Sequence, residues 1–118
     1  MAIPSGGGTE VLKTARFTGI GSSDNQILIQ GEADHIYTVL SIVFANTDSS
    51  NNRELYFRIY DGTGTSNEHY LLKAHIIPAG QTFIWNDKFV ISGAYNLRAS
   101  TASGDTDITI NYIEQDWS

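Results

Sequence analysis

The sequence predicts one all-β domain, built as a sandwich or a barrel, from three observations. Apolar and polar residues alternate with a period of two in one segment after another from Thr9 onward. Glycine, proline and Asn-Asp pairs separate these segments at regular intervals, and no segment has the 3.6-residue period of an amphipathic helix. The chain of 118 residues has the size of one domain and can bury one core.

We expect eight or nine strands, each a short run of aliphatic, β-branched or aromatic residues that ends at a turn. The turn at Pro78-Ala79-Gly80 is typical, because proline fixes φ and glycine permits the tight reversal. The expected strands are Val11–Phe17, Ile27–Ile29, Ile36–Phe44, Leu55–Tyr60, Tyr70–Ile77, Thr82–Trp85, Lys88–Ile91, Tyr95–Ala99 and Ile108–Ile113.

Individual strands differ in how many of their faces are apolar. Ile36–Phe44 is apolar on both faces, which is typical of a central strand that is covered on both sides. Leu55–Tyr60 has one apolar face and one amphipathic face. Strict alternation in the central strand predicts one shared face for Ile36, Thr38, Leu40, Ile42 and Phe44.

Residues 1–8 are expected to form a flexible N-terminal arm in front of a β-sandwich domain at 9–118. Ser5-Gly6-Gly7-Gly8 has no side chain that could pack in a core, and consecutive glycines behave as a hinge. The arm is either a disordered tail or a segment that orders against a neighbouring subunit. In the second case, Ile3 and Pro4 are its adhesive side chains.

Composition excludes several classes of protein. A net charge of −6 argues against a nucleic-acid binder, which needs a basic face. The absence of cysteine excludes disulfides, thiolate metal sites and cysteine nucleophiles. The apolar runs are too short to cross a membrane, and Met1-Ala2-Ile3-Pro4 does not resemble a signal peptide, so we expect synthesis in the cytoplasm.

A search for chemistry gives no catalytic site and no cofactor site, so we expect no enzymatic activity. The histidines, His35, His69 and His75, lie near no nucleophile motif and lack zinc-ligand spacing. Two loops could supply calcium ligands, although ordinary turns explain them better. The residues concerned are Asp61, Asn67 and Glu68 in one loop and Asp105 and Asp107 in the other. Solvated positions at strand edges or ends are expected for Glu54, Glu68 and Glu114.

Two tryptophans are candidates for partner binding, since exposed aromatic side chains are frequent at interfaces. Trp85 shares a face with Phe83, and a core position for both is the favoured interpretation. Trp117, close to the chain end, is expected to cap the sheet or to anchor a partner. The candidate partner-binding residues are therefore Ile3, Pro4, Trp85 and Trp117.

Five segments carry a family resemblance: Ser5–Lys13, His35–Ser41, Ile77–Gly80, Gln81–Phe89 and Ile110–Gln115. They resemble small virion proteins of marine tailed bacteriophages, notably those that infect cyanobacteria. The resemblance implies an antiparallel, jelly-roll-like sandwich that coats or cements the capsid, commonly as a trimer at junctions between capsomers. The expected partner is the major capsid protein or another virion protein. The family has no known catalytic residues, so the resemblance assigns none to this chain.

The sequence therefore favours a head decoration or cement protein that binds the capsid through its N-terminal arm and its sheet edges. A tail or neck component built from the same kind of sandwich is one alternative. The other is a carbohydrate-binding module, which would need Trp85 or tyrosines exposed on one flat face.

Deleting residues 1–8 tests the role of the arm. We expect the truncated chain to stay folded, because the core side chains all lie beyond residue 8, but to lose its binding to capsids. Circular dichroism checks the fold, and cosedimentation with particles measures binding. Unchanged binding would contradict a role for the arm.

Overall fold

The computed structural model describes residues 9–21, 26–60, 68–101 and 104–117. In these ranges the chain forms nine strands, all paired antiparallel in two sheets, and no helix. The strands are β1 Thr9–Ile20, β2 Gln26–Gln30, β3 His35–Asn46, β4 Arg53–Tyr60, β5 Glu68–Ile77, β6 Thr82–Trp85, β7 Phe89–Ser92, β8 Asn96–Thr101 and β9 Thr106–Asp116. The predicted all-β sandwich is confirmed. The expected arm lies outside the described residues.

The strand order is that of a jelly roll. The first sheet runs β1-β9-β3, with β6 and β7 both on the far edge of β3, and the second sheet runs β2-β8-β4-β5. Partners nest along the chain: β1 pairs with β9, β2 with β8, β3 with β6 and β7, and β4 with β5. Successive pairs alternate between the sheets, as they do when one long antiparallel ribbon is rolled up.

The core lies between the two sheets and is continuous along them. Phe44 of β3 meets Phe57 of β4 edge to face, with ring centroids 5.5 Å apart, so these two rings join the sheets directly. The buried apolar set is Ile20, Leu28, Ile29, Tyr37, Val39, Ile42, Phe44, Leu55, Phe57, Ile77, Ile91, Leu97, Ala99, Ile108 and Ile110.

Strict alternation in β3 is a wrong prediction. The register of β3 on β9 shifts between Val39 and Ser41, so Leu40 is the extra residue of a β-bulge. The bulge shifts the alternation by one residue. Odd-numbered Tyr37 and Val39 point inward before it, and even-numbered Ile42 and Phe44 point inward after it. One extra residue thus keeps both halves of a twelve-residue strand facing the same core.

Gly31, the first residue after β2, has a steric reason to be glycine. A Cβ at this position would lie 2.0 Å from the carbonyl oxygen of Tyr95, far inside van der Waals contact. The Gly31 backbone N–H donates to the Asn96 side chain at 3.2 Å. The chain therefore leaves β2 pressed against the start of β8, where only glycine fits.

The Asn46 side chain stabilises the connection between β3 of the first sheet and β4 of the second through several hydrogen bonds. Its buried Nδ2 lies 2.9–3.2 Å from the carbonyl oxygens of Asn51, Ile77 and Pro78. Its Oδ1 accepts from the backbone N–H of Asp48 at 3.0 Å. One side chain therefore ties the end of β3 to the following loop and to the end of β5.

We expect Asn46→Ala to lower the free energy of unfolding by about 2–3 kcal/mol, because it removes the donor to the buried Ile77 carbonyl and to two partly buried carbonyls. Asn111→Ala is the matched control. Its side chain bonds Thr14 and Ser41 on the outer surface of the first sheet, where water can replace it, so about 1 kcal/mol or less is expected. Urea unfolding of both variants measures the difference, and equal losses would contradict the role given to Asn46.

Candidate interaction surface

The outer surface of the first sheet carries rows of side chains that cross all of its strands. Paired residues in an antiparallel sheet share a face, so the register defines these rows. One row is Leu12, Ile113, Thr38 and Val90, from β1, β9, β3 and β7. Another is Arg16, Thr109, Val43 and Ile84, from β1, β9, β3 and β6.

Several apolar side chains in these rows are open to solvent. Leu12 is 68% exposed, Val90 60% and Ile84 55%. The inward side chains beside Ile84 and Val90 are half-buried or buried. Half-buried Ile36, Val43 and Ile113 lie between them on the same surface. We call this set the outer apolar face: Leu12, Ile36, Val43, Ile84, Val90 and Ile113. Several exposed apolar side chains grouped on one surface are typical of a binding surface.

A polar row divides the outer apolar face. Thr14 Oγ1 donates to Asn111 Oδ1 at 2.7 Å, and Asn111 Nδ2 donates to Ser41 Oγ at 3.2 Å. These bonds link three neighbouring strands, β1, β9 and β3, through their side chains. The surface is therefore held in a fixed register and offers a partner both apolar contacts and polar groups of set position.

Two of these residues were separable from the sequence, although the surface they form was not recognised. Alternation places Leu12 on the opposite face from Val11 and Phe17, and Ile84 on the opposite face from Phe83 and Trp85. The available signal was an aliphatic residue in a position where a solvated sheet face normally carries a polar one. Assembling the rows also required the strand order, which alternation does not supply.

The structure places Trp85 against the core, as the favoured interpretation predicted. Its ring meets those of Phe57 and Phe89 at centroid distances of 5.5 and 6.2 Å, and its Nε1–H donates to the Asp87 carbonyl at 2.9 Å. Trp117 is half-buried, and its backbone N–H donates to the carbonyl of Asp34 at 2.8 Å. Partner contacts by either tryptophan stay predictions.

The other two candidate partner-binding residues, Ile3 and Pro4, lie outside the described residues.

Of the candidate calcium ligands, Asp61 and Asn67 also lie outside the described residues. In the second candidate loop, Asp107 Oδ1 accepts from the Gly19 N–H at 3.0 Å, and Asp105 Oδ2 lies 3.5 Å from Arg53 Nη2. In the described part of the chain no group of three His, Cys, Asp or Glu residues could hold a metal ion.

Glu114 lies near the end of its strand, one of the two positions expected for it, but it is not the solvated surface residue that was expected. β9 lies between β1 and β3, and Glu114 is half-buried there, with Oε1 2.7 Å from Lys13 Nζ. Its Oε2 lies 3.5 Å from Nε2 of His35, which is buried. Sequence alone could not pair residues about eighty positions apart.

His35 is the centre of an acidic cluster at one end of the first sheet. Its Nε2 lies 3.4 Å from Glu32 and 3.5 Å from both Glu114 and Asp116, while its Nδ1–H donates to the Ala33 carbonyl at 2.8 Å. The Ala33 carbonyl first, and then the three carboxylates, raise the pKa of His35 above its ordinary 6.5, against the opposing effect of burial. The cluster joins β3 to the end of β9, next to the start of β1.

Comparisons with known proteins add little to this geometry. No protein-family model matches the sequence, and no curated protein is significantly similar to it. Among solved structures, a chain of the T13 IBDV viral particle aligns with a TM-score of 0.45 and 10% sequence identity. The alignment covers 92% of this chain and 35% of that one. The described residues also include no helix long and apolar enough to cross a membrane.

The His35 cluster predicts a pH-dependent stability. Because folding raises the pKa, protonated His35 stabilises the fold fully below about pH 6.5, and this contribution is lost as the pH rises through the raised value. We expect the gap in urea midpoint between the wild type and His35→Gln to shrink from pH 6 to pH 8.5. Unfolding curves at several pH values measure it. A gap that stays constant would contradict the pairing with the three carboxylates.

Proposed function

We propose that this chain is a non-enzymatic structural protein of a virus particle, and that it binds another virion protein through the outer apolar face. The observation that carries the proposal is that face itself. Leu12, Ile84 and Val90 are more than half exposed on a sheet that is held in register by cross-strand hydrogen bonds. Exposed apolar side chains on a fixed surface favour association with a protein partner.

The setting of this face supports the virion role in two ways. The chain segments that resemble virion proteins of tailed bacteriophages run through the first sheet, including His35–Ser41 in β3 and Ile110–Gln115 in β9. The jelly-roll order is also a common architecture of viral capsid domains, although a fold alone does not define a function.

Within the particle we place the chain on the head, as a decoration or cement protein bound to the major capsid protein and assembled as a trimer. It would be made in the host cytoplasm, and its net charge of −6 would keep the coated surface soluble. A tail or neck component is the alternative. Quantitative mass spectrometry of purified particles separates the two, because a head coat requires hundreds of copies and a neck or tail about a dozen or fewer.

Protein binding is favoured over carbohydrate binding because of where the aromatic rings lie. The carbohydrate hypothesis required Trp85 or tyrosines on one flat exposed face. The ring of Trp85 packs against Phe57 and Phe89 instead, and the large apolar side chains exposed on the described part of the first sheet are aliphatic. Aliphatic side chains bury well against protein but do not provide the flat rings on which sugars stack.

A matched pair of substitutions tests the proposed surface. Ile84 on the outer apolar face and Ile76 on β5 of the second sheet are 55% and 54% exposed, so Ile84→Lys and Ile76→Lys make the same chemical change at equal exposure. Both should fold, because neither side chain fills the core. Ile84→Lys should weaken binding to particles that lack this chain by about a hundredfold, since it buries an unpaired charge.

Cosedimentation of the labelled proteins with such particles measures both affinities, and the thermal unfolding temperature of each variant confirms folding. Ile76→Lys should bind like the wild type. Equal binding by all three proteins would show that the outer apolar face is not the contact. Absence of the chain from purified particles would contradict the virion role altogether.

A further inference from the structure

Two arginines lie directly opposite each other on the outer surface of the second sheet. Arg58 of β4 and Arg98 of β8 are cross-strand partners in the antiparallel register. They alternate along their strands with inward-facing Phe57 and Ala99, so both project away from the core. Like charges at directly opposed positions destabilise a sheet unless other groups compensate them.

Arg58 is well compensated. Its Nε donates to Tyr60 Oη at 3.1 Å, its Nη2 donates to Ser100 Oγ at 3.1 Å, and Glu68 Oε2 lies 3.7 Å from its Nε. The same glutamate accepts hydrogen bonds from the hydroxyls of Tyr60 and Tyr70, which together with Arg58 lower its pKa. Arg58 is thus fixed in the surface by partners of its own chain.

Arg98 has a different environment. Its guanidinium carbon lies 4.2 Å from the centre of the Tyr60 ring, an interaction that positions the cation over the ring. Its Nε is buried and donates no hydrogen bond, and no carboxylate pairs with it in the described ranges. A guanidinium that is partly removed from water and lacks an acceptor is an uncompensated charge.

Among the described residues, basic side chains outnumber carboxylates on the surface around Arg98, although the protein is acidic. Three of the seven basic residues of the chain, Arg58, Lys73 and Arg98, lie along this surface, which also holds Glu68 and, farther along β4, Glu54. Glu68 is already bonded to Arg58 and two tyrosines, and Glu54 accepts from the Tyr56 hydroxyl at 3.2 Å. These two carboxylates are therefore engaged away from Arg98.

The aromatic rings of this surface favour a peptide ligand over a sugar. Tyr60 is buried, and its ring is covered by Arg98. Tyr70 has the cationic groups of Arg58 and Lys73 at 5.6 and 5.1 Å from its ring centre. The buried Tyr60 ring offers no free face on which a sugar could stack, whereas a planar guanidinium in a fixed orientation is suited to a carboxylate.

We propose that Arg98, supported by Arg58 and Tyr60, forms a binding site for a carboxylate side chain in an acidic segment of a partner protein. The site lies on the opposite sheet from the outer apolar face and goes beyond the proposed function. An incoming carboxylate would relieve the like-charge opposition of the two arginines and satisfy Arg98 in the same step. Arginine and tyrosine are also the side chains that most often dominate the energetics of protein interfaces.

The test uses an acetylated, amidated peptide of six glutamates and its glutamine counterpart, titrated into the full chain at low salt. Proton–nitrogen NMR spectra follow the arginine Nε–H signals. We expect the glutamate peptide to shift the Arg98 signal saturably, and Arg98→Gln to weaken binding about tenfold or more. Added salt should weaken it as well. Arg98→Lys, which keeps the charge without the planar fork, should bind with intermediate affinity.

Arg16→Gln is the matched control, because Arg16 is an exposed arginine on the first sheet, and it should bind the glutamate peptide like the wild type. The proposal is overturned if neither peptide shifts Arg98 at millimolar concentration, or if Arg98→Gln binds the glutamate peptide unchanged. Binding of polygalacturonate but not of the peptide would also overturn it. Because the readout is a peptide on the isolated chain, its failure is separate from a failure to bind particles.

Discussion

The β-bulge at Leu40 is the constraint on which the architecture of the first sheet depends. β3 is the only strand that bonds both β9 and the β6–β7 edge among the described residues, and it is twelve residues long. The bulge keeps Val39 and Ile42 on the same buried face. It also coincides with the break in the edge strand, since β7 pairs with 36–39 and β6 with 42–45. A regular strand would have turned half of its apolar side chains out of the core.

With the core satisfied in this way, the two outer surfaces of the sandwich have different chemistry. The first sheet presents aliphatic side chains such as Leu12 and Val90 in a hydrogen-bonded frame. The second presents cations held over tyrosine rings, and Arg98 Nε has no acceptor among the described residues. A domain with two unlike surfaces can contact two different partners, or two regions of one partner, without rearrangement of its core. This property suits a component of a larger assembly better than it suits a free monomer.

Much of the fold was predictable because period-two alternation and turn residues are local signals. Every expected strand is present, with ends displaced by a few residues. Which side chains of β3 point inward was not predictable. A bulge cannot be recognised in a segment that is apolar on both faces, because the residue pattern looks the same with and without the extra residue. The flanking residues Ile36 and Val43 show the ambiguity: both are aliphatic, yet both lie on the outer surface.

The candidate sites were less predictable than the fold, because they depend on pairs that are distant in the chain. Arg58 and Arg98 are forty residues apart and become neighbours only through the pairing of β4 with β8. His35 and Glu114 meet only because β9 returns beside β3. By contrast, Trp85 was assigned to the core from its shared face with Phe83, a relation that alternation does encode.

The orientation of this chain on an intact particle tests the central claim most directly. A reconstruction at a resolution that resolves strands would show which sheet faces the shell. We expect the first sheet to face the shell, with Leu12, Ile84 and Val90 in contact with the capsid protein. A particle in which the first sheet faces solvent and the chain is held by other surfaces would contradict it.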